Sequence, residues 1–154
     1  MHKQKVSILG ATGSIGVNTL NVIRSHPGQY EIFALTAHSN MDLLFEQCCE
    51  FRPALAVTGT EEMATVLHAR LKRSGIKVET GFGSDALIAA ASDSQVDTVM
   101  AAIVGGAGLL PTLAAAKAGK KILLANKESL VMLGELFMQT ARVNKATVLP
   151  IDSE

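Results

Sequence analysis

The feature of this sequence that most constrains its fold is a glycine-rich turn between a buried strand and a helix. Residues 6–9 read Val-Ser-Ile-Leu, and residues 10–16 read Gly-Ala-Thr-Gly-Ser-Ile-Gly. Such a turn presents backbone N–H groups at a helix start, where the helix dipole also attracts phosphate. The pattern therefore predicts a dinucleotide-binding turn, and the alternative is a strand-to-helix turn with no ligand.

The glycines of this turn are expected to have three different tasks. Gly10, Gly13 and Gly16 lie three residues apart, whereas the usual fingerprint has its first two glycines two apart, and Thr12 takes that middle place. Gly10 permits the tight turn, Gly13 lets a diphosphate approach the backbone, and Gly16 lets helix and strand pack closely. Hydroxyl groups of Thr12 and Ser14 add hydrogen-bond donors.

Short apolar runs alternate with amphipathic segments along the whole chain. The predicted strands are residues 6–9, 32–36, 54–57, 77–79, 98–101, 122–124 and 147–149, and the predicted helices are residues 14–26, 41–51, 61–74, 84–91, 109–118 and 129–141. This alternation favours an α/β fold, a Rossmann-like doubly wound and mainly parallel sheet with helices on both faces. Ligands of such sheets bind outside the carboxyl ends of the strands.

Composition excludes several classes of protein. The 154 residues suit one domain, and 14 basic against 14 acidic side chains give no surplus for binding nucleic acid. Glycine, proline or charge interrupts every apolar run well short of a membrane span. The amino terminus has no signal-peptide pattern. We expect a cytoplasmic protein, or one of the plastid stroma if the source has plastids, with no nucleic-acid or membrane partner.

The end of the second predicted strand indicates the cofactor. Enzymes that use NAD usually carry a carboxylate there, bonded to the ribose hydroxyl groups. This chain has His38, Ser39 and Asn40, and the first acid, Asp42, already belongs to the next helix. A neutral end removes repulsion against a 2′-phosphate, so we expect NADP(H) rather than NAD. Asn40 also suits simple helix capping, which is compatible with either cofactor.

Two polar groups follow buried strands in the second half of the chain. Asn126, Lys127 and Glu128 are consecutive after the strand at 122–124, and Asp152 and Glu154 lie just beyond the last strand. In an extended segment the last two side chains share a face, as a hard divalent ion requires. The alternatives are a solvated helix start for the first group and an exposed acidic terminus for the second.

Taken together, these residues resemble one family, 1-deoxy-D-xylulose 5-phosphate reductoisomerase. The motifs that carry the resemblance occur in the family's order and extend from residue 6 to residue 154: Gly-Ala-Thr-Gly-Ser-Ile-Gly, Met-Ala-Ala-Ile-Val-Gly, Leu-Leu-Pro-Thr-Leu-Ala-Ala, Leu-Ala-Asn-Lys-Glu-Ser-Leu-Val and Leu-Pro-Ile-Asp-Ser-Glu. The resemblance implies rearrangement and NADPH-dependent reduction of 1-deoxy-D-xylulose 5-phosphate to 2-C-methyl-D-erythritol 4-phosphate, a step of the non-mevalonate isoprenoid pathway. It also implies a homodimer for the full-length protein.

The resemblance assigns roles residue by residue. NADPH contacts are implied for the turn and for four further positions, which together are Gly10, Thr12, Gly13, Ser14, Ile15, Gly16, Asn40, Ala102, Asn126 and Glu128, with His38 and Ser39 beside them. Lys127 and Ser153 would contact the sugar phosphate, and Asp152 and Glu154 would bind Mg²⁺, Mn²⁺ or Co²⁺. Lys127, Asp152 and Glu154 would be catalytic, with Glu154 also close to substrate.

Two implications concern what departs from the family or lies beyond these residues. Many members have Gly-Lys-Asn after the second strand, and the missing lysine at Ser39 predicts a modest preference for NADPH. The third metal ligand, the phosphate clamp and the active-site lid would follow Glu154, so residues 1–154 are expected to be a truncated NADP(H)-binding domain, inactive alone.

Two other functions fit parts of the sequence. A semialdehyde dehydrogenase would need a catalytic cysteine, and the adjacent Cys48 and Cys49, inside a predicted helix, are poor candidates. A nucleotide- or CoA-sensing module would not explain Asp152 and Glu154 alongside the Asn-Lys-Glu group.

Overall fold

The computed structural model describes residues 3–125 and 128–151, which form a parallel sheet with helices on both faces. The strands are β1 (Gln4–Leu9), β2 (Tyr30–Thr36), β3 (Leu55–Thr58), β4 (Glu79–Phe82), β5 (Thr98–Ala101), β6 (Lys121–Leu124) and β7 (Thr147–Pro150). The helices are α1 (Ser14–Arg24), α2 (Met41–Phe51), α3 (Glu61–Arg73), α4 (Gly83–Ser92), α5 (Leu109–Lys117) and α6 (Glu128–Val143). The predicted α/β fold class is confirmed.

The strand order is β4-β3-β2-β1-β5-β6-β7, and every neighbouring pair is parallel. The chain therefore builds outward from β1 in one direction and then in the other. Since parallel crossovers are right-handed, the two directions place their helices on opposite faces. Accordingly, buried residues of α1, α2 and α3 belong to one core cluster, and those of α4, α5 and α6 to the other.

Side chains of β1 alternate between these two clusters, as the period of a strand requires. Ile8 faces the α1 side, while Leu9 faces the α6 side. Ser7 is fully buried and donates a hydrogen bond from Oγ to Ala90 O at 2.6 Å. That carbonyl belongs to the last turn of α4, where backbone acceptors have no partner within the helix. Ser7 of the central strand thus supplies a hydrogen-bond donor to the last turn of α4.

The predicted helix boundaries at α2 and α3 are confirmed by their caps. Asn40 Oδ1 accepts a hydrogen bond from Leu43 N at 3.3 Å, and Thr60 Oγ1 accepts one from Met63 N at 3.2 Å. Gly75 follows α3 with φ of +72°, the left-handed conformation that ends helices. These signals were readable in the sequence because each acts within three or four residues of itself.

Two predicted elements differ most from the structure, while others differ from it by one or two residues at an end. The strand predicted at 77–79 is β4, Glu79–Phe82, because pairing with β3 sets its register and Val78 turns into the core instead. The helix predicted at 129–141 is α6, which begins at Glu128 and is interrupted at Gly134, where φ is 49° and ψ −125°. Its apolar periodicity continues past the break and therefore conceals it. Among the described helices, none is long and apolar enough to cross a membrane.

Candidate functional site

The segments predicted to carry function follow strands that end at one edge of the sheet. The backbone hydrogen bonds of the sheet continue one residue past β5, β6 and β7. Ala102 N donates to Leu9 O at 3.0 Å, Ala125 N to Ala101 O at 3.0 Å, and Ile151 N to Leu124 O at 2.9 Å. The carboxyl ends of β2, β1, β5, β6 and β7 therefore form a row in that order. At about 4.8 Å per strand, the row is roughly 19 Å long.

Gly10 and Gly16 make the turn after β1 sterically possible. Gly10 has φ of +87°, and a Cβ atom there would lie 2.8 Å from Ala102 O in the segment after β5. At Gly16 a Cβ would lie 2.6 Å from Ala11 Cα and would also overlap Gly10 O. Both clashes are with backbone, which cannot swing away. These two glycines therefore shape the turn itself, as predicted for the tight turn and for the close helix–strand packing.

Gly13 differs from its two neighbours in the motif. It is the N-cap residue of α1, it is exposed, and a Cβ there would meet only Gly10 O at the ordinary distance of 3.8 Å. Ser14 is also exposed, and Thr12 and Ile15 are half-buried. The outer half of the turn is thus open to solvent at the end of β1. The fold leaves room at the place where the sequence predicted a diphosphate.

The start of α1 has no side-chain cap, unlike those of α2 and α3. Backbone N–H groups of a first helical turn lack partners within the helix and carry the positive end of its dipole. An anion at this point would accept their hydrogen bonds and interact favourably with the dipole. The geometry therefore fits a diphosphate group at Gly13 and Ser14.

The inner half of the turn is held by residues that the sequence analysis missed. Thr36 Oγ1 accepts a hydrogen bond from Gly10 N at 3.0 Å, and Thr36 O accepts one from Ala11 N at 2.7 Å. From α2, the buried Gln47 donates from Nε2 to Ala11 O at 2.9 Å. The only sign of them in the sequence is that both are polar residues at positions where the strand and helix patterns predict burial.

The segment after β2 presents exposed polar groups and an ion-paired carboxylate. His38, Ser39 and Asn40 are all exposed, and His38 O accepts a hydrogen bond from Gly59 N at 3.2 Å. Asp42, the acid nearest to the strand end in sequence, is ion-paired with Arg70 Nη1 at 2.9 Å. This pairing lowers the repulsion that a phosphate would meet here. The guanidinium of Arg70 is a second feature that the sequence analysis missed.

Several predicted site residues lie outside the described residues: Asn126, Lys127, Asp152, Ser153 and Glu154. Their immediate neighbours are described, since Ala125 follows β6, Glu128 begins α6 and Ile151 follows β7. Ala102 is half-buried beside Gly10. Within residues 3–125 and 128–151, no three His, Cys, Asp or Glu side chains form a group that could hold a metal ion.

A cavity of about 410 Å³ lies on the α1 side of the sheet, next to the glycine turn. It runs between α1 and strands β1, β5 and β6, and Ile15 and Ile151 both line it. The side chain of Ile15 thus faces this cavity, so an interaction of Ile15 with a diphosphate would use its backbone N–H group.

The cysteine pair is poorly placed to provide a catalytic nucleophile at the carboxyl edge of the sheet. Cys48 and Cys49 are free thiols in the last turns of α2, which runs away from the carboxyl edge of the sheet. Burial, with a smaller contribution from Cys49, raises the pKa of the Cys48 thiol to about 12. A protonated and enclosed thiol is unreactive, which argues against a dehydrogenase with a catalytic cysteine here.

Comparison with known proteins agrees with this arrangement. A family model described as 1-deoxy-D-xylulose 5-phosphate reductoisomerase matches residues 6–134. The reductoisomerase of Dechloromonas aromatica (strain RCB) is 59% identical over 151 residues, which are 98% of this chain and 38% of that protein. The chain therefore spans little more than a third of the length of this relative.

Two solved structures extend the likeness to the backbone. A reductoisomerase crystallised with NADPH, fosmidomycin and magnesium is 52% identical, with a TM-score of 0.94 over 97% of this chain and 36% of that one. The enzyme from Zymomonas mobilis in complex with NADPH is 42% identical, with a TM-score of 0.92 over 99% of this chain and 40% of that one. With the family model covering most of its residues, this chain belongs to the 1-deoxy-D-xylulose 5-phosphate reductoisomerase family.

Proposed function

We propose that residues 1–154 are the NADP(H)-binding domain of a reductoisomerase that converts 1-deoxy-D-xylulose 5-phosphate to 2-C-methyl-D-erythritol 4-phosphate. The observation that carries the proposal is the open outer half of the glycine turn, with the uncapped start of α1 behind it. Support also comes from relatives with this backbone that were crystallised with NADPH. The remainder of the reaction would require the part of the relatives' length that this chain does not span.

In this proposal NADPH lies along the carboxyl edge of the sheet. Thr12, Gly13, Ser14 and Ile15 contact the diphosphate, and Thr12, Ser14 and Ile15 supply the backbone N–H donors, because Gly13 N already donates to Gly10 O at 3.4 Å. Gly10 and Gly16 shape the turn. The 2′-phosphate lies at His38, Ser39 and Asn40, where Asp42 is already paired with Arg70. The nicotinamide half then extends over β1 and β5 toward Ala102, Asn126 and Glu128. NADPH supplies the hydride, and the domain fixes its direction.

The substrate and metal assignments rest on the family and on their position in the chain. Lys127 and Ser153 would contact the sugar phosphate, with Glu154 near it, and Asp152 and Glu154 would bind Mg²⁺, Mn²⁺ or Co²⁺. Lys127, Asp152 and Glu154 are the proposed catalytic residues. Two carboxylates provide few of the six or so oxygen ligands that such ions require, so we expect weak metal binding by these two residues alone.

We also propose the cytoplasm as the compartment in a bacterial source, in keeping with bacterial relatives, and the plastid stroma in a plastid-bearing one. A homodimer is the proposed state of the full-length protein, with sugar phosphate as substrate and no nucleic-acid or membrane partner.

The test of the proposed function is a calorimetric titration of the chain with NADPH and, at the same salt concentration, with NADH. We expect saturable binding of one NADPH per chain and weaker binding of NADH, because no carboxylate stands at the end of β2. Absence of binding for either nucleotide would contradict the proposal. Equal affinities would leave the domain assignment in place and refute the proposed 2′-phosphate site.

A further inference from the structure

We propose that Gln47 is a positioning residue of the nucleotide site, fixing the direction of a backbone N–H group that binds the diphosphate. Gln47 lies in the middle of α2 and is only 6% exposed, and its Nε2 donates a hydrogen bond to Ala11 O at 2.9 Å. The inference rests on the proposed function, since it assigns a residue to that same site.

The bond reaches the ligand through the peptide group between Ala11 and Thr12. In a planar trans peptide, the C=O and the N–H point in opposite directions. Holding Ala11 O toward α2 therefore directs the N–H of Thr12 away from α2, toward the outer side of the turn. Thr36 holds the N–H groups of Gly10 and Ala11 from β2. The inner half of the turn is thus held by β2 and by α2, and the N–H group of Thr12 points outward.

The other end of the same side chain shows that packing does not explain this residue. Among the described residues, Gln47 Oε1 is buried and has no hydrogen-bond partner. A buried acceptor without a partner is unfavourable for folding, and a leucine of similar size at this buried position of α2 would carry no such acceptor. Exchanging Nε2 and Oε1 of Gln47 would place Oε1 against Ala11 O, and two acceptors cannot form a hydrogen bond with each other. The remaining contribution of Gln47 is its donor to Ala11 O.

The test compares Gln47→Leu and Gln47→Met, which remove the donor, with Leu71→Ala, a control from α3 in the same core cluster. Each variant is titrated with NADPH and with adenosine 2′-monophosphate, which lacks the diphosphate, and its thermal unfolding is measured. We expect NADPH binding to weaken roughly two- to tenfold in both Gln47 variants, with adenosine 2′-monophosphate binding unchanged. Leu71→Ala should lower the melting temperature while leaving both affinities near the wild-type values.

Three outcomes count against the inference. Wild-type NADPH affinity in both Gln47 variants would overturn it. Equal weakening of both ligands would show general structural damage instead of positioning, and would also overturn it. If the unaltered chain fails to bind NADPH, the proposed function itself is wrong and the inference falls with it. Two variants are used so that the poor folding of one does not decide the result.

Discussion

Replacing Gly13 with alanine should separate nucleotide binding from folding. A Cβ atom at Gly13 lies 3.8 Å from Gly10 O, which is ordinary contact. The residue has φ of −79° and ψ of 173°, an extended conformation that alanine adopts freely. The folded chain therefore accommodates the methyl group. A diphosphate that approaches the backbone N–H groups at the start of α1 would collide with this methyl group.

The expected change in folding stability is small because two effects oppose each other. Alanine is a poorer N-cap than glycine by about 0.5–1 kcal/mol. Alanine also restricts the unfolded chain, which raises stability by about 0.4–1 kcal/mol when the native conformation suits it. The free energy of unfolding should stay within about 0.5 kcal/mol of the wild-type value. For a domain of this size, that is a melting-temperature change of about 2 °C or less.

The expected change in NADPH affinity is larger. One extra methyl group in a close contact costs about 1–3 kcal/mol, which corresponds to a roughly 5- to 150-fold increase in Kd. Titration calorimetry gives the Kd, and circular dichroism gives the melting temperature of the same sample. Unchanged NADPH affinity in Gly13→Ala would refute the placement of the diphosphate at the outer half of the turn.

Gly16→Ala is the matched control, since it adds the same methyl group three residues away. Its Cβ would lie 2.6 Å from Ala11 Cα and would also overlap Gly10 O. Because both neighbours are backbone, we expect the free energy of unfolding to fall by about 3 kcal/mol, the upper end for overpacking. A Gly16→Ala variant as stable as wild type would show that the closeness of β1 and α1 has been misjudged.

Four further predictions concern other parts of the chain. Ser7→Ala should lower the free energy of unfolding by about 1–2 kcal/mol, since Ala90 O loses the 2.6 Å bond from a buried hydroxyl; denaturant unfolding measures it, and no change would mean that the bond is unimportant. At pH 8 a thiol reagent should label Cys49 quickly and Cys48 only on unfolding, because burial raises the Cys48 pKa to about 12; fast labelling of both would contradict this. The ratio of NADH to NADPH dissociation constants should exceed one only modestly, since Ser39 can offer the 2′-phosphate a hydrogen bond but no positive charge. A very large ratio would show that other groups bind the 2′-phosphate. With NADPH, Mn²⁺ and 1-deoxy-D-xylulose 5-phosphate, residues 1–154 should show no turnover at an enzyme-like rate, because the proposed phosphate clamp and third metal ligand follow residue 154. Substrate-dependent loss of reduced-cofactor absorbance at such a rate would show that the catalytic groups lie within residues 1–154, and would refute this prediction.

Local signals account for what the sequence predicted well. The turn at 10–16, the caps at Asn40 and Thr60 and the stop at Gly75 each depend on residues within a few positions of one another. The apolar strands β1 and β5 were equally clear, since a strand buried on both faces is a continuous apolar run. The order of the motifs added the family resemblance, which the comparisons confirmed.

Contacts between distant parts of the chain account for what the sequence did not show. The bond between Gly10 and Thr36 requires β2 to pair beside β1, and the bond of Gln47 to Ala11 requires α2 to pack against the turn after β1. No periodicity in the sequence specifies either contact. The register of β4 comes from pairing with β3, and it moved the strand past its predicted position. The break at Gly134 left the apolar period of α6 intact, so a pattern of spacing alone could not reveal it.

The position of the proposed nucleotide site follows from the order of the strands in the sheet. The strands on the two sides of β1 are β2 and β5, and the connections from β1 and from β5 leave the sheet on opposite faces. A crevice opens where such connections diverge. At the floor of this crevice, Gly10 lies so close to Ala102 O that any side chain at Gly10 would separate the segments that follow β1 and β5. In the proposed function, Gly10 therefore contributes to NADPH binding by holding these two segments close together. We expect Gly10→Ala to widen the crevice floor and weaken NADPH binding together with folding, whereas Gly13→Ala weakens binding alone.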